Sequence, residues 1–241
     1  MYSNNNIYKS LNRILLFGII FYLCQGCASK NITDELVNDK IVVVVLGSSN
    51  AFGIGASSPN QSWVGLLKKA SSDLIINLSI SGSTTYTFLP YNSPNYRNIK
   101  PDKLRNIDAA INLLPKIIIF SITTNDIASG YSIDEYLNNM ELMTNLCISN
   151  KVEYIITSTL PRNPLPFEQR KALYDLNRRL EKAYGNRYVE IYNPVANLQT
   201  LNWQEDLCIN DLIHPNDSGH LIIFNSIWPI YLDVKIRISK R

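Results

Sequence analysis

The segment that decides the fold is residues 40–46 (KIVVVVL), in which six apolar residues in succession lead into Gly47, Ser48 and Ser49. A short apolar run rich in β-branched residues is typical of a strand that is buried on both faces of a parallel sheet. Similar runs recur along the chain, and we predict a strand at each. They lie at residues 73–78, 116–121, 153–158 and 188–192.

Helical patterns separate these runs. Ser132 and Glu135 form a capping box in front of an apolar stripe at helical spacing. A second stripe ends at Gly185, and a last helix is predicted over residues 217–228, ended by Pro229. The alternation predicts an α/β fold, a three-layer α/β/α sandwich around a mainly five-stranded parallel sheet. In such sheets, catalytic residues lie in the loops that follow the carboxyl ends of the strands.

Composition and charge narrow the class of protein. The chain has 241 residues, which is the length of one α/β domain. Its composition, with 46% hydrophobic and 18% charged residues, is typical of a protein with a globular core. The net charge is +3 and no basic stripe is interleaved with aromatic residues, so we predict no nucleic-acid partner. The two His and four Cys show no metal-ligand spacing, which predicts no metal and no cofactor. Cys147 and Cys208 are predicted to be free thiols, with a disulfide as the alternative.

The amino terminus has the pattern of a targeting segment. Lys9 and Arg13 stand at the start of an apolar run over residues 14–24 (ILLFGIIFYLC). As a helix this run would be about 16 Å long, which is too short to cross a bilayer but typical of a signal peptide. The pair Gly26-Cys27 that follows resembles a bacterial lipobox, in which the cysteine becomes lipidated.

The domain prediction follows from this pattern. We predict a lipoprotein-type signal peptide over residues 1–26, lipidation of Cys27, a polar tether over residues 27–40 and one domain over residues 41–241. Simple secretion and an uncleaved anchor are the alternatives. A lipid on Cys27 would attach the protein to a membrane of the bacterial cell envelope, on the periplasmic side or at the cell surface. The oligomeric state is left open.

Small and polar residues follow the predicted strands in four blocks. They are Gly47-Ser48-Ser49, Ser81-Gly82-Ser83, Thr123-Thr124-Asn125-Asp126 and, near the carboxyl end, Asp211-Leu212-Ile213-His214-Pro215. In this order the blocks resemble those of the SGNH (GDSL-type) hydrolase family, over residues 41–230. The resemblance implies a flavodoxin-like SGNH hydrolase fold and the hydrolysis of carboxylic esters through a serine nucleophile.

The resemblance also implies a role for each matching residue. Ser49 matches the nucleophile, His214 the base that accepts its proton, and Asp211 the carboxylate that holds the imidazole in one tautomer. The backbone N–H groups of Ser49 and Gly82 and the side-chain amide of Asn125 match the donors that stabilise the oxyanion of the tetrahedral intermediate. A set of this kind works on an ester substrate without a metal.

Two positions depart from the family pattern. Ser48 stands where the family has Asp, and Thr123 stands where it has Gly. A β-branched residue does not adopt a positive φ cheaply, so we expect the loop that carries Asn125 to run differently from that of relatives. Arg162, after the fourth strand, is predicted to face the site and bind a polar part of the substrate. A solvated loop arginine is the alternative.

The remaining polar residues near these blocks are expected to be structural. They are His220, Asp126, Asn77 and Ser83. Taken together, the family resemblance and the predicted envelope anchor imply a serine esterase that removes short acyl groups, such as O-acetyl, from a carbohydrate or another envelope substrate. A lysophospholipase or thioesterase of the same family is one alternative, and a non-catalytic binding lipoprotein with the same fold is the other.

Overall fold

The computed structural model describes residues 40–94 and 97–240. The predicted signal peptide, Cys27 and nearly all of the predicted tether lie outside the described residues. The first five strands of the described residues have the bounds β1 Val42–Gly47, β2 Leu74–Asn77, β3 Ile117–Ser121, β4 Glu153–Thr157 and β5 Tyr188–Val189. They form one parallel sheet in the order β2-β1-β3-β4-β5, which is the flavodoxin-like order. The predicted five-stranded parallel sheet is confirmed.

The valines of β1 alternate between two hydrophobic cores. Val44 and Leu46 belong to the core on one face of the sheet, and Val43 and Val45 belong to the core on the other. All four side chains are fully buried. Because helices cover both faces, the strand has no solvent-facing side, and this explains why residues 40–46 lack the polar alternation of a half-exposed strand.

Helices form the two outer layers of the predicted sandwich. Their bounds are α1 Ser49–Phe52, α2 Trp63–Ala70, α3 Thr85–Phe88, α4 Ile107–Asn112, α5 Asn125–Ala128, α6 Ile133–Ser149, α7 Phe167–Tyr184 and α8 Asp217–Ser239. Helices α3, α4, α6 and α7 contribute to one core, and α1, α2 and α8 contribute to the other. The predicted capping box of Ser132 and Glu135 begins α6. Of the helices in the described part of the chain, none is both long and apolar enough to cross a membrane.

The carboxyl-terminal helix is longer than the sequence indicates. Helix α8 continues through Pro229 to Ser239, so the prediction that Pro229 ends it was wrong. A proline inside a helix removes a hydrogen bond and costs about 3 kcal/mol. Contacts beyond the proline offset this cost. Tyr231 is buried and donates a hydrogen bond to Asp73, just before β2, and Lys235 Nζ lies 2.9 Å from both carboxylate oxygens of Asp73.

The fifth strand is shorter than the predicted residues 188–192. It ends at Val189, because Glu190 Oε1 accepts hydrogen bonds from the backbone N–H groups of Tyr192 (2.6 Å) and Asn193 (3.0 Å). The carboxylate therefore satisfies N–H groups that a longer strand would use in the sheet. A small antiparallel ladder follows, formed by β6 Ala196–Asn197 and β7 Asn202–Trp203.

The two cysteines of the domain do not form a disulfide. Cys147 and Cys208 are both buried free thiols, as predicted. Burial raises the pKa of Cys147 to about 12, which keeps it protonated at physiological pH. Among residues 40–94 and 97–240, no group of three or more His, Cys, Asp or Glu side chains is placed to hold a metal ion.

Candidate active site

The first strand ends at the point where the strand order of the sheet reverses. Strand β1 lies between β2 and β3, and the Ser48 N–H donates to Ser121 O at the end of β3 (3.2 Å). Ser48 is extended and forms the N-cap of α1, so Ser49 is the first residue of the helix. Ligands bind at this switch point in open α/β sheets. The turn therefore places the Ser49 hydroxyl where a substrate would be expected.

Ser49, His214 and Asp211 form one continuous hydrogen-bonded series. His214 Nε2 lies 2.8 Å from Ser49 Oγ, and His214 Nδ1 lies 2.6 Å from Asp211 Oδ2. A carboxylate only accepts hydrogen bonds, so Nδ1 carries the ring proton and Nε2 accepts from the Ser49 hydroxyl. Ser49 does not serve as the cap of α1, because that position belongs to Ser48. The structure thus brings together the three residues predicted as nucleophile, base and orienting carboxylate.

Asp211 is held in place by its own loop. Its Oδ1 accepts from the backbone N–H groups of Ile213 (2.8 Å) and His214 (3.0 Å), which leaves Oδ2 for the imidazole. Partial burial raises the pKa of Asp211, but the hydrogen bonds from His214 and Ile213 outweigh it and hold the pKa below its usual value. Leu212 adopts a φ of 57°, in the left-handed region, to complete the turn. Asp211 is therefore an ionised acceptor at neutral pH.

The loop that carries His214 is fixed on two sides. On one side, Gly55 has a φ of +92°, and a Cβ there would lie 2.1 Å from Pro215 O and 3.3 Å from His214 Cβ. Only glycine fits this approach between two backbones. On the other side, the Asn163 N–H donates to Leu212 O (3.1 Å). Both contacts restrain the distance between the imidazole and the Ser49 hydroxyl.

The three predicted oxyanion donors lie on loops that hydrogen-bond to one another. Among the described residues, the backbone N–H groups of Ser49 and Gly82 have no hydrogen-bond partner. Gly82 has a φ of +79°, and no described atom lies within 4 Å of the place where its Cβ would be. Asn125 Nδ2 donates to Ser83 O (2.8 Å), beside Gly82, and keeps a second hydrogen for another acceptor. The arrangement leaves one donor in each of the three segments that follow β1, β2 and β3.

Thr123 is accommodated without a positive φ. It is absent from the residues in the left-handed region, so the loop after β3 does run without the conformation that a glycine would allow. The Thr123 hydroxyl accepts a hydrogen bond from Asn50 Nδ2 (3.0 Å) and lies 3.4 Å from Ser48 Oγ. All three residues are buried. The two positions that depart from the family pattern, Ser48 and Thr123, therefore contact each other and join the loop of Asn125 to the turn of the nucleophile.

Arg162 faces the site, as predicted. Its Nη1 donates to Asn125 Oδ1 (2.9 Å) and to Thr124 Oγ1 (3.2 Å), and the residue is half-buried. Loss of solvent lowers the pKa of the Arg162 guanidinium, while the nearby negative charge of Asp211 acts in the opposite direction. A solvated loop arginine would show neither contact, so that alternative is excluded.

The residues expected to be structural have structural contacts. His220 is fully buried and bonds only to backbone atoms, with Nδ1 accepting from the Trp63 N–H (3.3 Å) and Nε2 donating to Ile54 O (3.1 Å). Burial lowers the pKa of His220 to about 4. Asp126 accepts from the backbone N–H and the hydroxyl of Thr85. Burial raises the pKa of Asp126 to about 6, although these hydrogen bonds oppose the shift.

Asn77 and Ser83 stabilise turns, as expected. Asn77 Oδ1 accepts from the Ser79 N–H (3.1 Å), and its Nδ2 donates to Ala51 O (2.8 Å). Ser83 Oγ donates to Ile80 O (2.7 Å) and lies 3.3 Å from Gly47 O. These bonds hold the Gly82 turn against the end of β1.

Comparison with known families identifies the domain. The model of the GDSL-like Lipase/Acylhydrolase family matches residues 45–222, which include all of the candidate site residues from Ser49 to His214. The chain belongs to this family. GDSL-type enzymes are carboxylic ester hydrolases, and the series Ser49–His214–Asp211 is consistent with that activity. No curated protein sequence matches this chain significantly.

Solved structures of GDSL-type proteins share the fold. A GDSL-like lipase from Bacteroides thetaiotaomicron is 24% identical, with a TM-score of 0.62 over 83% of this chain and 89% of that one. The esterase EstA from a Pseudoalteromonas species is 18% identical, with a TM-score of 0.59 over 80% and 98%. A two-domain esterase active on acetylated mannans is 17% identical, with a TM-score of 0.59 over 86% of this chain and 52% of that one. At these identities the likeness establishes the fold.

Proposed function

We propose that this GDSL-type hydrolase cleaves carboxylic esters through an acyl-enzyme on Ser49. The observation that supports this most directly is the unbroken series from Ser49 Oγ through His214 to Asp211, with distances of 2.8 and 2.6 Å. A serine hydroxyl alone is a poor nucleophile, and an imidazole acceptor at hydrogen-bond distance activates it. The series therefore supplies the activation that ester cleavage requires.

Each residue then has one task in the proposed reaction. Ser49 Oγ attacks the ester carbonyl, and its proton passes to His214 Nε2. The carbonyl oxygen becomes an oxyanion that receives hydrogen bonds from the N–H groups of Ser49 and Gly82 and from Asn125 Nδ2. The tetrahedral intermediate collapses, the alcohol leaves with the proton from His214, and Asp211 stabilises the imidazolium meanwhile. Water then cleaves the acyl-enzyme with His214 as base, which restores the Ser49 hydroxyl.

The proposed substrate is a short acyl ester, such as an O-acetyl group, on a carbohydrate or another envelope molecule. The exposure of Gly82 and Asp211 at the site favours a substrate whose alcohol portion is bulky and stays outside, since neither residue is covered by another element. The structural similarity to an esterase active on acetylated mannans supports this choice. An anchor on Cys27 would hold the enzyme in the bacterial envelope, where acylated glycans are accessible.

One observation favours the alternative of a longer acyl chain, as in a lysophospholipid or thioester. Phe52, three residues after Ser49 at the end of α1, is 54% exposed, and Leu212, between Asp211 and His214, is 37% exposed. Apolar side chains close in sequence to both Ser49 and His214 offer contact area to an acyl chain. A panel that contains acetylated sugars, p-nitrophenyl esters of increasing chain length, lysophospholipids and acyl thioesters decides between the two. A preference of kcat/KM for chains of eight or more carbons would reject the short-acyl proposal.

The proposed mechanism is tested by p-nitrophenyl acetate hydrolysis and by fluorophosphonate labelling. We expect Ser49→Ala to lose both turnover and labelling, because the phosphonate bonds covalently to an activated serine. The matched control is Ser48→Ala, which removes the adjacent hydroxyl and only its 3.4 Å contact with Thr123, and it should keep labelling. Equal turnover by the native protein and Ser49→Ala would reject Ser49 as the nucleophile.

Cleavage and lipidation at Cys27 are tested separately in a bacterial host. We expect the native chain to move to the detergent phase in Triton X-114 partitioning and to incorporate labelled palmitate, whereas Cys27→Ala should do neither. Cys24→Ala is the control, because it removes the other cysteine of the same segment. Palmitate incorporation that persists in Cys27→Ala would refute the proposed anchor.

A further inference from the structure

Arg162 occupies a position between the two halves of the candidate site. Its Nη1 is 2.9 Å from Asn125 Oδ1 and 3.2 Å from Thr124 Oγ1. The next residue, Asn163, donates its backbone N–H to Leu212 O, and Asn163 Oδ1 accepts from the Trp203 N–H (2.8 Å). The segment after β4 is therefore anchored at its backbone while the guanidinium extends to the amide of Asn125.

The contacts of Asn125 fix the orientation of its side-chain amide. A guanidinium has no acceptor atom, so the atom that faces Arg162 must be Oδ1, and a backbone carbonyl has no donor, so the atom that faces Ser83 O must be Nδ2. Rotation of the amide by 180° would set nitrogen against the guanidinium and oxygen against the carbonyl. Two independent neighbours thus impose the same orientation, in which Nδ2 lies on the side of Gly82.

We propose that Arg162 is a positioning residue of the oxyanion hole, which acts on the reaction through Asn125. This inference rests on the proposed function and adds a residue to it. The bond to Oδ1 holds the amide so that the second hydrogen of Nδ2 meets the oxyanion without reorganisation. The positive charge of the guanidinium beside Oδ1 also polarises the amide, which makes its N–H a stronger donor to a negatively charged acceptor. Asn125 forms its substrate contact only when charge develops on the carbonyl oxygen, so the contribution of Arg162 belongs to the transition state.

Direct binding of the substrate by Arg162 is the competing role, and kinetics distinguish the two. A residue that holds the ground-state substrate changes KM, whereas a residue that supports the oxyanion donor changes kcat at nearly constant KM. With p-nitrophenyl acetate we expect Arg162→Met to lower kcat about 10- to 50-fold with KM within about twofold. Arg162→Lys keeps one cationic donor and should recover at least part of kcat.

The double variant tests whether Arg162 acts through Asn125. We expect Asn125→Ala to lower kcat by about 10²- to 10³-fold. Arg162→Met should reduce kcat by no more than about twofold further in the Asn125→Ala background, because the amide that it positions is gone. Multiplicative effects of the two substitutions, or a rise in KM without a fall in kcat, would overturn the proposal and assign Arg162 to substrate binding.

The control variant is Arg187→Met. Arg187 is also half-buried and pairs with Glu153 Oε2 (3.3 Å), but it lies at the amino ends of β4 and β5, away from the site. It should lose stability without losing kcat. A loss of kcat in Arg187→Met equal to that in Arg162→Met would show that destabilisation alone explains the effect and would also overturn the proposal.

A spectroscopic measurement keeps the inference separate from the proposed activity. In protein labelled with ¹⁵N-asparagine, the side-chain signals of Asn125 are those missing from Asn125→Ala. We expect Arg162→Met to shift these signals and to speed the exchange of their hydrogens with solvent, while Arg187→Met leaves them in place. Unchanged Asn125 signals in Arg162→Met would reject the positioning role even in a protein that is active. A different result separates the two proposals. If Arg162→Met shifts the Asn125 signals but Ser49→Ala is as active as the native protein, the positioning of Asn125 by Arg162 is supported and the esterase mechanism is rejected.

Discussion

The two histidines of the chain lie six residues apart and have opposite environments. His214 is in a partly exposed loop, and its two ring nitrogens face the side chains of Ser49 and Asp211. His220 is fully buried in the first turn of α8, and its two nitrogens face backbone atoms of Trp63 and Ile54. The first ring joins two side chains of the candidate site, whereas the second completes the hydrogen bonding of two backbone segments.

The comparison shows that partner atoms decide what an imidazole does. In both rings one nitrogen donates and the other accepts, so the neutral form is satisfied in each place. Burial lowers the pKa of His220 to about 4, because a charged ring there would be desolvated and would lose its acceptor nitrogen. His214, in contrast, has the carboxylate of Asp211 to stabilise its charged form during reaction. Substitutions at the two positions should therefore separate activity from stability.

The largest effect is expected from His214→Gln. Loss of the base should lower kcat/KM for p-nitrophenyl acetate by about 10⁴-fold or more, because Ser49 would retain its proton. The free energy of unfolding should change by no more than about 1 kcal/mol, since the loop is partly exposed. Urea denaturation followed by circular dichroism measures the stability. Turnover within about tenfold of the native protein would rule out His214 as the base.

His220→Leu should show the reverse pattern. The leucine leaves the Trp63 N–H and Ile54 O without partners in a buried place, which costs about 2–4 kcal/mol of unfolding free energy. We expect kcat to stay within about threefold, because His220 has no bond to the catalytic series. The same urea and turnover measurements apply. A loss of kcat as large as that of His214→Gln, in protein that is still folded, would contradict the comparison.

The dependence of stability on pH sharpens the contrast between buried groups. The pKa of His220 is about 4 in the folded protein, whereas the ordinary value is 6.5. Between these two pH values the unfolded chain binds a proton that the folded protein does not bind. The folded protein therefore loses stability as the pH falls from 6.5 to 4. The pKa of Asp126 is about 6 in the folded protein, whereas the ordinary value is 3.8, so between these pH values the folded protein retains a proton that the unfolded chain has lost. The proton on Asp126 therefore stabilises the folded protein fully below pH 3.8, and this stabilisation is lost as the pH rises to 6. Each group contributes about 3 kcal/mol over its range, with opposite sign.

These two contributions are separated by variants. Relative to the native protein, Asp126→Asn should lose about 3 kcal/mol of unfolding free energy when the pH is lowered from 7 to 4, and His220→Leu should gain a similar amount. Urea titrations at intervals of half a pH unit measure both. Parallel curves for the native protein and the two variants would show that neither group titrates differently on folding.

The smallest effect is expected from Thr123→Gly. Without the Thr123 hydroxyl, Asn50 Nδ2 loses its hydrogen-bond acceptor and Ser48 Oγ loses its contact. Glycine also makes the backbone before Asn125 more flexible. We expect kcat to fall less than about tenfold and stability to fall by about 1 kcal/mol. An increase in kcat would instead show that threonine restricts the oxyanion loop in this chain. Thr124→Gly is a poor control because Thr124 contacts Arg162, so Thr144→Gly on α6 serves as the comparison for stability only.

Much of the fold and the central part of the site follow from local sequence. The apolar runs predict the strands because both faces of the sheet are covered, so burial leaves a continuous signal at residues 40–46. The catalytic series is predictable because parallel strands bring their carboxyl ends to one edge, and the family blocks mark which residues lie there. The structural roles of His220 and Asp126 were also predicted correctly, from their places at a helix start and in a loop.

Features that depend on distant partners were not predictable. A proline ends a helix reliably only when no contact beyond it stabilises further helical turns. Here Lys235 forms a buried contact with Asp73, 162 positions away in the sequence, and a local pattern cannot indicate such a contact. The bond from Arg162 to Asn125 likewise depends on side-chain direction, which neither segment encodes alone. That the loop at Thr123 differs from that of relatives stays a prediction, and the hydrogen bond from Asn50 to the Thr123 hydroxyl could be seen only in three dimensions.

Gly55 has a consequence for how this enzyme can vary. It has no functional group, yet a single added methyl at this position would meet Pro215 O and push against His214. The gap over which the proton moves is therefore set partly by a residue outside every catalytic block. Natural or engineered variants can lose turnover through this position while each reactive side chain is retained, so an intact set of catalytic residues is not sufficient to infer an active enzyme.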